Sequence, residues 1–225
     1  MTIKYGLLLT LMWGLLPLSA QDLMSALMNM RKEYEEASSL HVVMQVSVYD
    51  DTVSRQPHLS AKGEVRKEND NYRYAFGGME MLMNERYILV VDAESRTIAC
   101  QYRHPQAESD FHKSLPFSMD SILSFYEEPV YLGRQQAVDH YSVIQKLGPV
   151  GKIDLWINTE ANKLHKMAYL YQEGQYVEIA FNVFDNDPTF GAGTFDEKSY
   201  VIKDDSGFRP SSGFNGYLVL EPEMD

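Results

Sequence analysis

The sequence predicts an α+β fold dominated by a long antiparallel sheet that curls, and three observations predict it. One stretch near the N-terminus repeats its apolar residues at helical spacing. Most of the remaining chain alternates apolar and polar residues, with short turn-forming clusters between the runs. The strands number ten or more, and a sheet of that size rarely stays open and flat.

The helical stretch is Gln21 to Ser39, where Leu23, Leu27, Met30, Tyr34 and Ala37 recur at steps of four and three and make one apolar stripe. Asp22 stands near its start, where an acid suits the positive end of the helix dipole. From Leu40 the period changes to two: Leu40, Val42, Met44, Val46 and Val48 share a face. His58 to Lys67 alternates through Leu59, Ala61, Gly63 and Val65, and after the polar turn at 68–71 come Tyr72, Tyr74 and Phe76. Gly77-Gly78 turns the chain into Met79, Met81 and Met83, and the runs Tyr87–Asp92 and Arg96–Arg103 continue the hairpins.

His104 to Pro116 is polar and reads as a long loop, followed by a short helix capped by Ser118, with Met119, Ile122, Leu123 and Tyr126 on its apolar side. Five more strands come next, at 129–135, 140–147, 152–158, 163–171 and 175–184, then a loop at 185–193 and a final strand within Phe195–Ile202. A curled sheet with a helix across its mouth encloses a cavity, with Met, Tyr, Val and Leu on the inward faces.

The first twenty residues have the layout of a cleavable export leader. Lys4 precedes a twelve-residue apolar stretch, Leu7 to Leu18, and Pro17, Ser19 and Ala20 form a small-residue exit. That stretch is short of the roughly 20 residues a membrane span needs. The reading is therefore a leader at 1–20, one folded domain at 21–202 and an acidic tail at 203–225 whose order the composition leaves open. No cysteine near the cleavage point offers a thiol for a lipid anchor, so the expectation is an exported protein, soluble and without a stable membrane anchor.

Without Lys4, 19 basic residues face 32 acidic ones, a net charge of −13. So acidic a chain repels nucleic acid and anionic headgroups, and nucleic acid is not expected as a partner. Cys100 is the single cysteine, in register with Ile98 and Tyr102, and reads as a buried, inert thiol. Exported with one thiol, the chain must hold its fold by packing rather than by an internal disulfide.

No motif for covalent chemistry stands out: there is no G-x-S-x-G elbow, Gly-rich phosphate loop or H-E-x-x-H. His104, Asp110 and His112 share a loop without a zinc spacing. Asp185, Asp187, Thr189 and Asp196 match a calcium loop only loosely, with Phe190 where its glycine belongs, and read better as a turn. The paired acids Asp50-Asp51, Glu127-Glu128 and Asp204-Asp205 sit at turns or in the tail. The expectation is a protein that is not an enzyme and uses no metal or cofactor. The Met79, Met81, Met83 stripe has two readings, core packing or a compliant apolar surface that reopens around a ligand.

The order and spacing of several segments resemble the LolA-type outer-membrane lipoprotein carrier family. The resemblance runs through Ala37–Val48, the hairpin Gly63–Phe76, the hairpin Asn84–Ile98, the short helix in Leu115–Phe125, the meander Lys152–Phe184 and the strand in Phe195–Val201. It implies an unclosed half β-barrel, with the N-terminal and short central helices covering an apolar cavity. It also implies a monomeric periplasmic carrier that shields the acyl chains of lipoproteins or similar lipid cargo. Inner-membrane donor and outer-membrane acceptor proteins are possible partners, and no bond is made or broken. By position, Val42, Met44, Val46, Val65, Tyr72, Tyr74, Met81, Met83, Leu89, Ile122 and Leu123 are expected to line the cavity. Well-known carriers of the family place an Arg in the turn after the Gly-containing strand. Here that turn is Glu68-Asn69-Asp70-Asn71, with Arg66, Lys67 and Arg73 nearby. The cargo and an ATP-driven loading step therefore stay open, and so does an envelope module that uses the same scaffold to bind a protein.

Overall fold

The structure, a computed structural model, describes residues 19–106, 108, 129–144, 148–205 and 207–221. The expected leader up to Leu18, the short helix around Ser118–Tyr126 with Ile122 and Leu123, and the Asp110 and His112 pair lie outside the described residues.

Helix α1 (Ser19–Glu36) opens the described chain and ends three residues before the predicted boundary. Ser39 already belongs to β1 (Ser39–Tyr49), where it pairs with Glu68, so sheet registry ends the helix. A helix of this length is marginal alone, and packing of its stripe supplies the stability. Leu23, Leu27 and Met30 are buried against Met44, Leu155, Ile157 and Met167. Each such side chain contributes about 1.5–3 kcal/mol on burial.

The strands after β1 are β2 (Leu59–Glu68), β3 (Asn71–Phe76), β4 (Met79–Met83), β5 (Tyr87–Asp92) and β6 (Thr97–Tyr102). Five more succeed them: β7 (Val130–Gln135), β8 (Val138–Ile144), β9 (Val150–Asn158), β10 (Lys163–Tyr171) and β11 (Tyr176–Asp185). The chain closes with β12 (Val201–Asp204), β13 (Gly207–Pro210) and β14 (Leu218–Leu220). Twelve strands form one sheet in the order β14-β6-β5-β4-β3-β2-β1-β11-β10-β9-β8-β7, while β12 and β13 pair with each other. All its pairings are antiparallel except the one between β14 and β6. The sheet ends at β14 and β7 without closing, which makes the fold an unclosed, mostly antiparallel half-barrel.

Local chemistry sets the hairpins. Between β3 and β4 the loop has two residues, Gly77 and Gly78, with φ of 58° and 89°. A tight turn positive at both centres suits the twist of the strands, and only glycine adopts it without strain. Asn69, at φ 53°, does the same work between β2 and β3.

Paired positions share a face, so register sorts the sheet into two sides. The inner side carries α1 over β1 and β8–β11. The outer side of β1–β3 and β8–β11 is polar: Glu64 pairs with Arg66 along β2 and hydrogen-bonds His41 on β1, Arg73 reaches Glu80 on β4, and Lys166 on β10 pairs with Glu178 on β11. Over β4–β6 the outer side is apolar instead, and the segment after β11 covers it. Phe195, Tyr200, Val201, Phe208, Phe214 and Tyr217 pack there on Leu82, Tyr87, Leu89, Val91, Ile98 and Cys100. The expected domain boundary at 202 falls inside β12, and β14 adds an edge strand beyond β6.

Candidate ligand-binding face

The inner side of β2–β5 is built from three cross-strand rows. Register aligns Val42, Val65, Tyr74, Met81 and Val90 in the middle one. Beside it run Leu40, Lys67, Tyr72, Met83 and Ile88, and on its other side Met44, Gly63, Phe76, Met79 and Asp92. Along β4 the three methionines step outward. Met83 is sealed at 0% exposure, Met81 is partly buried and Met79 reaches 39%. Methionine suits such a gradient, because its unbranched thioether refills irregular space. Met83 and Ile88 form a small cluster with Tyr72 and Met81, separate from the core under α1.

Two close approaches shape the face. Met44 lies over Gly63 so closely that a Cβ there would stand 2.8 Å from the Met44 Cγ. The glycine therefore lets the methionine lie across β2. At the rim, Lys67 Nζ donates to the Ala37 carbonyl at 2.7 Å, tying the chain at the end of α1 to β2. Arg103 donates to the Asp70 and Asn84 carbonyls at 3.1 and 3.2 Å, joining the β2–β3 and β4–β5 turns.

Eight of the expected lining residues share the inner face: Val42, Met44, Val46, Val65, Tyr72, Tyr74, Met81 and Met83. Val42, Met44 and Val46 belong there to the core beneath α1. Leu89 is a correction. It pairs with Leu82 and Cys100 and is buried in the outer cluster beneath the C-terminal segment. Paired Met83 and Ile88 are separated by four residues, which swaps odd for even numbering on the inner face; the inward residues of β5 are Ile88 and Val90. Phe76 and Met79 share that face too. The unbroken apolar run Tyr87–Val91 marks a strand buried on both sides, the signal that could have exposed the error.

Other groups singled out in the sequence have local work. Arg66 and Arg73 face outward onto Glu64 and Glu80, at 2.7 and 3.0 Å. Asp185 accepts from the Asp187 N–H at 3.1 Å, and Asp196 caps the short 3-10 turn Glu197–Ser199 through the Lys198 N–H at 2.9 Å. Among the described residues no group of three or more His, Cys, Asp or Glu could hold a metal ion. Cys100 is buried, and burial pushes its thiol up to about 12. On the outer face Trp156 is flanked by His140, stacked at 4.2 Å, and by Lys166 Nζ, 4.0 Å from the ring centre. Among the described residues no helix is long and apolar enough to cross a membrane.

No protein-family model and no curated protein matches the sequence. Solved structures do match in chain course. An uncharacterized conserved protein from Thermus thermophilus aligns at 8% identity over 91% of this chain and 99% of its own, with a TM-score of 0.48. LprF from Mycobacterium bovis aligns at 15% identity over 75% of this chain and 96% of its own, with a TM-score of 0.41. A LolA superfamily protein from Nitrosomonas europaea aligns at 11% identity over 76% of this chain and 96% of its own, with a TM-score of 0.34.

Proposed function

We propose that this protein is a periplasmic carrier, exported behind the N-terminal leader, that binds the acyl chains of lipoproteins or similar lipid cargo and moves them toward the outer membrane. The observation that carries the reading is the inner face of β2–β5. It joins Val65, Tyr74, Met81 and Val90 in one row, and its methionines run from sealed to solvent-exposed along a single strand. A surface of this kind makes an insoluble chain soluble, since each methylene it takes from water contributes about 0.8 kcal/mol. Binding and release need no bond chemistry. The donor would be an inner-membrane protein and the acceptor an outer-membrane one.

A second reading, an envelope module that binds a protein, has one observation in its favour. Edge strand β7 exposes Val130 and Leu132 to about half their surface, 50% and 51%, and an edge strand can pair with another chain.

Lipid extraction and mass spectrometry of the protein purified from a bacterial periplasm separate the two. The carrier returns acyl lipid in near-stoichiometric amount, and a protein free of lipid sinks that reading. Met81→Asp puts a carboxylate in the middle row and should cut uptake of a fluorescent fatty acid at least tenfold while the circular dichroism spectrum is kept. Unchanged uptake by the folded variant excludes Met81 from the binding surface.

A further inference from the structure

Burial along the inner side of β2–β5 falls in one direction. Beside the β2–β3 and β4–β5 turns, Met83 and Ile88 are sealed. Beside the β3–β4 turn, at the other end, Met79 is exposed. Leu59, which pairs with Val48 and so faces inward, is 50% exposed there. Met81 lies between the two ends and is partly buried.

The ends also differ in charge. At the sealed end the cations are committed to the protein itself: Lys67 donates to the Ala37 carbonyl, and Arg103 donates to the Asp70 and Asn84 carbonyls and pairs with Glu108 at 3.0 Å. At the open end the residue opposite Met79 is Asp92. The Ser95 hydroxyl donates to its carboxylate at 2.7 Å, and the Glu94 and Ser95 N–H groups donate at 2.9 and 3.3 Å. These bonds hold the carboxyl below the usual range, so it is charged at neutral pH. The turns at this end add Asp50, Asp51 and Glu94 against Arg55 and Arg96, with His58 paired to Asp50 at 3.0 Å. Carboxylates therefore outnumber guanidinium groups around the opening.

Taking methylenes from water is favourable, whereas taking a polar head from water is not. A chain therefore feeds its apolar end toward Met83, where flexible thioethers can make room, and keeps its head where water reaches. We propose that an acyl chain enters this face methyl end first, between Leu59 and Met79, and leaves its head beside Asp92, so that the face takes ester- or amide-linked chains in preference to free fatty acids. The inference rests on the carrier reading and adds a direction and a ligand class to it.

The direction is read by NMR of isotope-labelled methionine methyls with two nitroxide-bearing stearic acid methyl esters, one labelled beside the ester and one beside the terminal methyl. The label at the methyl end should broaden Met83 and Met81, and the label at the ester should broaden Met79 and spare Met83. The head preference is read as the ratio of methyl stearate to stearate affinity. That ratio should fall about two- to fivefold in Asp92→Asn, whose amide oxygen can still accept from the turn, and should fall likewise when salt is added to wild type. The reverse broadening pattern, or equal broadening of Met79 and Met83 by both labels, overturns the direction. An unchanged ratio in Asp92→Asn overturns the head preference. Either result leaves the carrier reading standing. If wild type binds neither ester nor free acid, the carrier reading itself fails and the inference with it.

Discussion

At the scale of single residues, Gly63 and Met44 show how closely the inner face is fitted. Because a Cβ at 63 would lie 2.8 Å from Met44 Cγ, Gly63→Ala must displace that side chain. Met44 is itself buried in the α1 core, so the displacement is felt beyond β2. We expect Gly63→Ala to cost about 1–3 kcal/mol. In a Met44→Ala background the same change should cost much less, because the obstructing atoms are gone. Urea unfolding of the four proteins in this cycle measures the coupling. Equal penalties in both backgrounds would mean that the two side chains do not meet.

At the scale of elements, the C-terminal segment is held by a polar clamp as well as by its aromatic residues. Glu197 accepts from Asn84 Nδ2 at 2.6 Å and is bridged by Arg86, both from the β4–β5 turn. Asn84 is itself buried. Its amide also reaches the Phe195 carbonyl, and its oxygen accepts from the Arg86 and Tyr87 N–H groups. Removing the carboxylate takes one of two acceptors from the buried Asn84 amide, and an N–H left unpaired there costs more than the bond alone. Glu197→Ala should therefore loosen the cover over Leu82, Leu89 and Cys100. The expected outcome is at least tenfold faster labelling of Cys100 by a maleimide under native conditions. Labelling as slow as in wild type would show that aromatic packing alone holds the segment.

At the scale of the whole molecule, several buried acids resist ionising together. Cys100, Tyr34, Tyr74, Tyr169 and Tyr176 are each pushed up to about 12, in every case mainly by burial. Above the ordinary thiol value near 9, the unfolded chain gives up its proton while the native one keeps it. The native state then binds more protons than the unfolded state, and stability falls as pH rises. The contribution is fully present below about pH 8.5 and is lost progressively toward pH 12, with the thiol acting first and the phenols above about pH 10. We expect the thermal midpoint to begin falling near pH 9, and Cys100→Ala to flatten the limb between about pH 9 and 10. An unchanged limb in that variant would place the effect elsewhere.

The period of the side chains carried most of this architecture. Helical spacing in Leu23, Leu27 and Met30 named the face α1 buries, and alternation grouped the apolar residues within each of β1 to β4, leaving it to register to bring Val42, Val65, Tyr74 and Met81 to one side. Those inferences need only neighbours a few residues apart, which is the range over which sequence dictates geometry. Tertiary structure decided what depends on distant pairing. Register alone turned Leu89 outward and Ile88 and Val90 inward, because a strand apolar on both faces does not reveal its orientation. The docking of residues 195–217 over β4–β6, and the sealing of Cys100 beneath them, arise from contacts about a hundred positions apart.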